Sequence, residues 1–208
     1  MKKSKNKAPR GYHFHSNGGG LVADTATVAY SSYVGPNALV HDHAKLYGNA
    51  RIYDYAEARD NAHLDDDCRV YGAACVRGQS YVHENARVFE NAVIDGMAHI
   101  LGNAKVYGFA YISGDAVVWG QSLVHGESRV GGCAVVSGGD WEHSPLYIQG
   151  SRQPLTNSRY GYIRIGCQEH TFDEWKRHYK EIGKAAGYTD EQIREYGDYI
   201  KIFIKHGK

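Results

Sequence analysis

Arg51, Arg69, Arg87 and Lys105 recur at every eighteenth position, and Tyr53, Tyr71, Phe89 and Tyr107 each follow one of them by two places. A guanidinium grips phosphate or carboxylate oxygens through charge-assisted hydrogen bonds, and an aromatic ring offers a face on which a base can stack. Repeated side by side, the two residue types suit a small anionic ligand that carries a ring. They also suit an aromatic ladder or a subunit contact with no ligand at all, since rings one repeat apart fall within stacking range. The cations resist that second account, because like charges on adjacent strands destabilise a sheet. Asp66, Asp67 and Glu84, at the preceding corners, are placed to offset Arg69 and Arg87 in part.

The elements that position these columns are written in a shorter period. Stepping by six from Val22 to Val136 meets only Val, Ile, Leu and one Ala, Ala58. Two places before each aliphatic residue the side chain is small, mostly Ala or Ser, and two places after it Gly, Asp or Glu recurs. A small and an aliphatic residue two apart point to the same side of a short extended segment. Gly, Asn or Asp then turns the chain, as at Gly48-Asn49, Asp60-Asn61 and Gly102-Asn103, where positive φ is tolerated at low cost. Three such segments and three corners close one triangular coil, so that each coil is three hexads long. Residues 20–138 then make roughly six and a half coils, a prism on the order of 30 Å long at the spacing of hydrogen-bonded strands.

The three-hexad step sorts outward residues onto three faces. The first carries Leu39/His41, Glu57/Arg59, Cys75/Arg77, Val93/Asp95 and Tyr111/Ser113, without a theme. The second carries Lys45/Tyr47, His63/Asp65, Tyr81/His83, His99/Leu101 and Val117/Trp119. The third holds the cation and ring columns, ending in Leu123/His125.

Beyond Gly139 the hexads stop. The stretch to His170 reads as two or three short strands with a turn near Asn157-Ser158. Thr171 with Glu174, and Thr189 with Gln192, are capping boxes that open two helices. Phe172, Trp175, Tyr179, Ile182 and Ala186 form the apolar stripe of one, and Ile193, Tyr196, Ile200 and Phe203 that of the other. The expected organisation is a basic, flexible tail over 1–17, a β-helix over 18–139, and a C-terminal α+β cap or oligomerisation segment over 140–208.

Composition narrows the function. With 208 residues, 42% hydrophobic and a net charge of +1, the chain lacks the basic footprint of a general nucleic-acid binder. No apolar run is long enough for a membrane span, and residues 1–17 lack the apolar core of a signal peptide. Cys68, Cys75, Cys133 and Cys167 have neither metal nor disulfide spacing, which fits a reducing cytoplasm.

The unbroken hexads resemble the left-handed parallel β-helix of the hexapeptide-repeat superfamily, over about residues 20–138. Left-handedness comes from that resemblance, since ordinary crossovers are right-handed. The ending, with Gly150, Ser151, Arg152, Gly166, Cys167, Thr171, Glu174 and Trp175, resembles uncharacterised repeat proteins of phages and bacteria. The first resemblance implies a homotrimer. It also implies one candidate activity, acyl transfer from acyl-CoA between subunits, with a His as general base. His63, His83 and His99 on the second face are the candidates, His63 beside Asp65 and His83 beside Glu84. No inserted loop interrupts the hexads to cover such a substrate. A zinc site of the kind known in that superfamily is not expected, because Ala104 stands where a further His would follow His99.

The preferred expectation is a protein without resident cofactor that holds or sequesters a small phosphorylated or nucleotide-like molecule. If the second resemblance carries meaning, that molecule is a host signalling nucleotide. Its ligand-binding residues are the third-face columns together with Arg152. The alternative is the acyltransferase with acetyl-CoA, and the third reading is a structural module. In the cap, Arg152 is expected to bond strand-end carbonyls if it binds no ligand, and Cys167 to pack as a small hydrophobe, with His170 the only base near it.

Overall fold

A computed structural model describes residues 7–208, and the first six residues of the basic N-terminal stretch lie outside them. From Leu21–Ala23 to Asp140–Trp141 the chain winds through about seven coils of parallel two- and three-residue strands. Each coil adds one strand to each of three sheets. Pairing joins each strand to its equivalent one coil on, as in Arg51 with Arg69 and Arg69 with Arg87 on the third sheet. The three sheets carry the three groups of outward residues expected from the sequence.

Inside, the aliphatic residues from Val34 to Val136 are almost wholly buried, together with the small residues that precede them, and form one continuous core. The small position is the close approach to each corner. Where it is Ser rather than Ala, the hydroxyl usually has a carbonyl to bond: Ser80 donates to Arg77 at 2.7 Å and Ser122 to Trp119 at 2.6 Å. Cys68 takes the same position, and burial pushes its thiol up to about 12.

The corners depend on left-handed backbone. Gly48 and Gly102 have φ of 58° and 72°, and Asp42, Asp54, Asp60, Asp66, Glu84 and Glu90 adopt φ of 55–58°. An acidic side chain at such a corner has a use that Gly lacks. Its carboxylate accepts the amide N–H of the corner residue one coil on: Asp54 from Gly72 at 3.2 Å, Asp66 from Glu84 at 3.1 Å, and Glu84 from Gly102 at 2.7 Å.

Both ends of the prism are covered. Tyr12–Phe14 pairs antiparallel with Leu21–Ala23, and the ring of His15 is buried against the Ser32 carbonyl at 3.1 Å. This stretch was expected to belong to a basic tail. The unpaired edge of the first sheet offers it a ladder of hydrogen bonds that charge counting does not reveal. At the other end the hexads run one strand further than the sequence suggested. Asp140–Trp141 pairs with Leu123–Val124, and Trp141 takes the inward place with 1% of its surface exposed. The step from Val124 to Trp141 falls one position short of a full three-hexad coil, which hid it from a fixed-frame reading.

An antiparallel sheet of four strands follows, Tyr147–Gln149, Pro154–Arg159, Tyr162–Ile165 and Gln168–Thr171. The expected turn at Asn157-Ser158 lies instead at Tyr160-Gly161, with Gly161 at φ 76°. Asn157 is buried and in mid-strand. Its amide donates to the Arg159, Tyr162 and Lys208 carbonyls, and its side-chain oxygen accepts the Lys208 N–H at 2.7 Å. Helices α1 (Phe172–Ala185) and α2 (Asp190–His206) open with the expected capping boxes. Their buried Trp175, Tyr196, Ile200 and Phe203 pack with Leu155 and Ile163 in a second core. Among the described residues no helix is long and apolar enough to cross a membrane.

Candidate ligand-binding face

On the third face, strand register sets Tyr33, Arg51, Arg69, Arg87, Lys105 and Leu123 in one column. Two residues further along each strand, the rings of Tyr53, Tyr71, Phe89, Tyr107 and His125 form a second column. Their centroids are 5.0, 4.9, 4.8 and 4.7 Å apart in sequence, with planes within 7° of parallel. The ladder is therefore continuous. Tyr71, Phe89 and Tyr107 each have a ring against both faces, so the stacking expected of Tyr71 and Phe89 on a ligand has no free face to use.

The cations have no such partners. Among the described residues Arg51, Arg69, Arg87 and Lys105 are exposed, and none is within ion-pair reach of a carboxylate. The counter-charges expected for them are engaged elsewhere. Asp66 and Glu84 accept corner amides, and Asp67 accepts from the Asn49 amide at 3.2 Å. At one-coil spacing each neighbouring cation pair repels by at most about 0.9 kcal/mol in water.

The first face shows that this fold can pair its charges. Arg77 and Asp95, one coil apart, meet at 2.8 Å and 3.0 Å, and the Tyr111 hydroxyl donates to the same carboxylate at 2.8 Å. Burial raises the Asp95 carboxyl, but the Gly96 N–H, Tyr111 and Arg77 outweigh it and hold it below the ordinary range. Sequence reading missed this cluster although its signal was present: opposite charges at equivalent positions of successive coils.

At its N-terminal end the third face opens into a hollow of about 390 Å³ lined by Tyr33, Pro36, Asn37, Arg51, Tyr53, Asp54 and Arg69. Three of the expected ligand-binding residues, Arg51, Tyr53 and Arg69, thus share one concavity.

On the second face Tyr47, His63, Tyr81 and His99 follow one another at centroid distances of 5.3, 5.0 and 4.9 Å. His83 lies edge-on to His99 at 6.4 Å. The structure thus gathers the three candidate bases, two of them as rungs of a ladder. Burial lowers the His63 pKa, Lys45 and His83 add to this, and Asp65 opposes it. Burial also lowers that of His99, with help from His83. Nε2 of His63 is buried without a hydrogen-bond partner, and Asp65 stays 3.9 Å away. The Glu84 carboxylate that could have oriented His83 is committed to the Gly102 amide. Among the described residues no group of three His, Cys, Asp or Glu comes close enough to hold a metal ion.

Arg152, expected among the ligand-binding residues, belongs to the cap. Its guanidinium donates to the Gly187 and Ala186 carbonyls at 2.6 and 3.2 Å, at the end of α1, and lies 4.5 Å from the Tyr188 ring centroid. Ser151 bonds the Glu195 carboxylate of α2 through its backbone N–H at 2.9 Å, and a Cβ on Gly150 would stand 2.5 Å from the Tyr196 hydroxyl. The Gly150-Ser151-Arg152 run is a joint between sheet and helices. Cys167 is exposed rather than packed, and the His170 ring sits edge-on to Trp175 at 5.0 Å. Compared with protein-family models, with curated proteins and with solved structures, the chain finds no match.

Proposed function

We propose that the third face binds a small phosphorylated molecule, and that the protein holds this ligand rather than converting it. The observation that carries this reading is the cation column of Arg51, Arg69 and Arg87, in register, exposed and without carboxylate partners, on a scaffold that pairs Arg77 with Asp95 elsewhere. A bound polyanion would replace the repulsion along the column with charge-assisted hydrogen bonds. Among the described residues the one carboxylate-bound histidine of this face, His125 with Asp140 at 2.6 Å, lies at the far end of the ladder from Arg51 and Arg69, which favours holding over chemistry at the cations.

Calorimetry with a panel of mono-, di- and cyclic nucleotides tests the proposal. Arg69→Ala is expected to weaken binding roughly ten- to a hundredfold, the value of one hydrogen bond to a charged group. His63→Ala is expected to leave it unchanged. The second reading, acyl transfer, draws on the unbonded Nε2 of His63 and on the burial that lowers its pKa and so favours the neutral form a general base requires. Acetyl-CoA turnover that disappears with one His substitution, with no heat from any nucleotide, would replace the proposal by that reading.

A further inference from the structure

The aromatic column begins at Tyr53, and the reason lies one coil earlier. Register places Gly35 where the next ring of the ladder would stand. Gly35 does not have a positive φ, so its backbone does not call for glycine. What excludes a side chain is space: a Cβ at this position would come 2.8 Å from the Tyr53 Cβ and 3.0 Å from its Cα. The outer face of the Tyr53 ring is therefore left without a rung. Tyr53 lines the hollow of about 390 Å³ together with Tyr33, Pro36 and Asn37, the residues on either side of Gly35 in the coil before, and with Arg51 and Arg69. Asp54 also lines it, but its carboxylate accepts the Gly72 amide. The opposite end of the ladder differs. There register sets Glu142 opposite His125, and the His125 ring is tied to the Asp140 carboxylate at 2.6 Å. An anion would meet acidic neighbours at that end and cations at this one.

We infer that the gap above Gly35 is a stacking slot, in which a planar aromatic ring of the ligand completes the ladder on Tyr53 while its phosphate reaches Arg51 and Arg69. The ligand class is a phosphate joined to a flat ring, as in a nucleotide or an aryl phosphate. The slot supplies the ring selectivity that the covered faces of Tyr71 and Phe89 cannot. It rests on the proposal that the third face binds phosphate, and the two separate experimentally.

Calorimetry with adenosine monophosphate, phenyl phosphate, inorganic phosphate and adenosine on the full chain provides the test. The two ring-bearing phosphates should bind roughly ten- to a hundredfold more tightly than inorganic phosphate, the usual range for stacking one base on an aromatic side chain. Tyr53→Ala should abolish that preference and leave inorganic phosphate binding unchanged. Tyr53→Phe should keep the preference, and Tyr107→Ala, in mid-ladder, should not alter it. Phosphate binding with no ring preference would overturn the slot and keep the anion site. Adenosine monophosphate bound no more tightly than adenosine, with binding lost in Tyr53→Ala but indifferent to Arg69→Ala, would keep the slot and overturn the anion site. No binding of any of the four would overturn both.

Discussion

Arg87 and Val88 are neighbours in the chain and opposites in surroundings: one is exposed between Arg69 and Lys105, the other buried at 0% exposure. Val88→Asp would set an unpaired carboxylate inside the prism and is expected to cost about 3–5 kcal/mol or to force protonation. Arg87→Ala removes a like charge from both neighbours and is expected to stabilise by about 0.2–1 kcal/mol at low salt. That gain should vanish near 1 M salt, where the screening length is about 3 Å. Denaturant melts at two ionic strengths check both. A loss of stability in Arg87→Ala at low salt would mean that the column has a partner. Inward and outward identity was legible in the sequence because it follows local alternation. The engagement of Asp66 and Glu84 was not, because a carboxylate at a left-handed corner can turn to a backbone amide or to an arginine, and only the spacing of successive corners decides.

At the scale of the element, the coil is the unit of exchange. Deleting residues 70–87 removes one coil and rejoins both columns, so Tyr53 should stack on Phe89. Deleting only 70–75 keeps every inward aliphatic residue but turns all later strands by one face. Tyr53 would then be followed by Arg77 and Asp95 in place of rings. Both variants should show the far-ultraviolet signature of a β-solenoid. Tyr53 keeps a stacked ring after it only in the 18-residue deletion, so Tyr53→Ala should cost about 0.5–1.5 kcal/mol more there than in the six-residue deletion. Urea melts giving Tyr53→Ala the same cost in both deletions would show that the ladder contributes nothing at this junction. The hexad was readable because its three roles (small, inward, corner) recur within six residues. The cap strands were harder to read. Asn157-Ser158 has the composition of a turn, yet Asn157 is held in mid-strand by the chain terminus, a contact 51 residues away in sequence. Trp141 escaped for a different reason, since one missing residue breaks a fixed frame without breaking the coil.

The whole molecule is a stack whose coils touch only their neighbours, so its ends decide whether it stays a single object. At the C-terminal end Trp141 closes the core, and the four-stranded sheet continues the bonding: Ser137 N–H donates to the Ser158 carbonyl at 2.9 Å, and Val135 N–H to the Thr156 hydroxyl at 3.2 Å. Truncation after Gly139 removes plug and sheet together, and is expected to give aggregation or open-ended assembly through the bared strands. A soluble truncated chain with an unchanged subunit count in light scattering would show that this segment neither caps nor joins subunits. The sequence revealed that the ends need covering, but not the strand Tyr12–Phe14 that covers the first, since its partner edge exists only once the coils are stacked. Gly35 occurs once, at the head of a column of rings. Inserting or deleting coils below it changes the number of cations and of stacked rings, but not the number of open ring faces beside those cations. Stoichiometry and reach are thereby uncoupled: a longer relative of this chain would accommodate a longer polyanion and would still accept one ring per subunit.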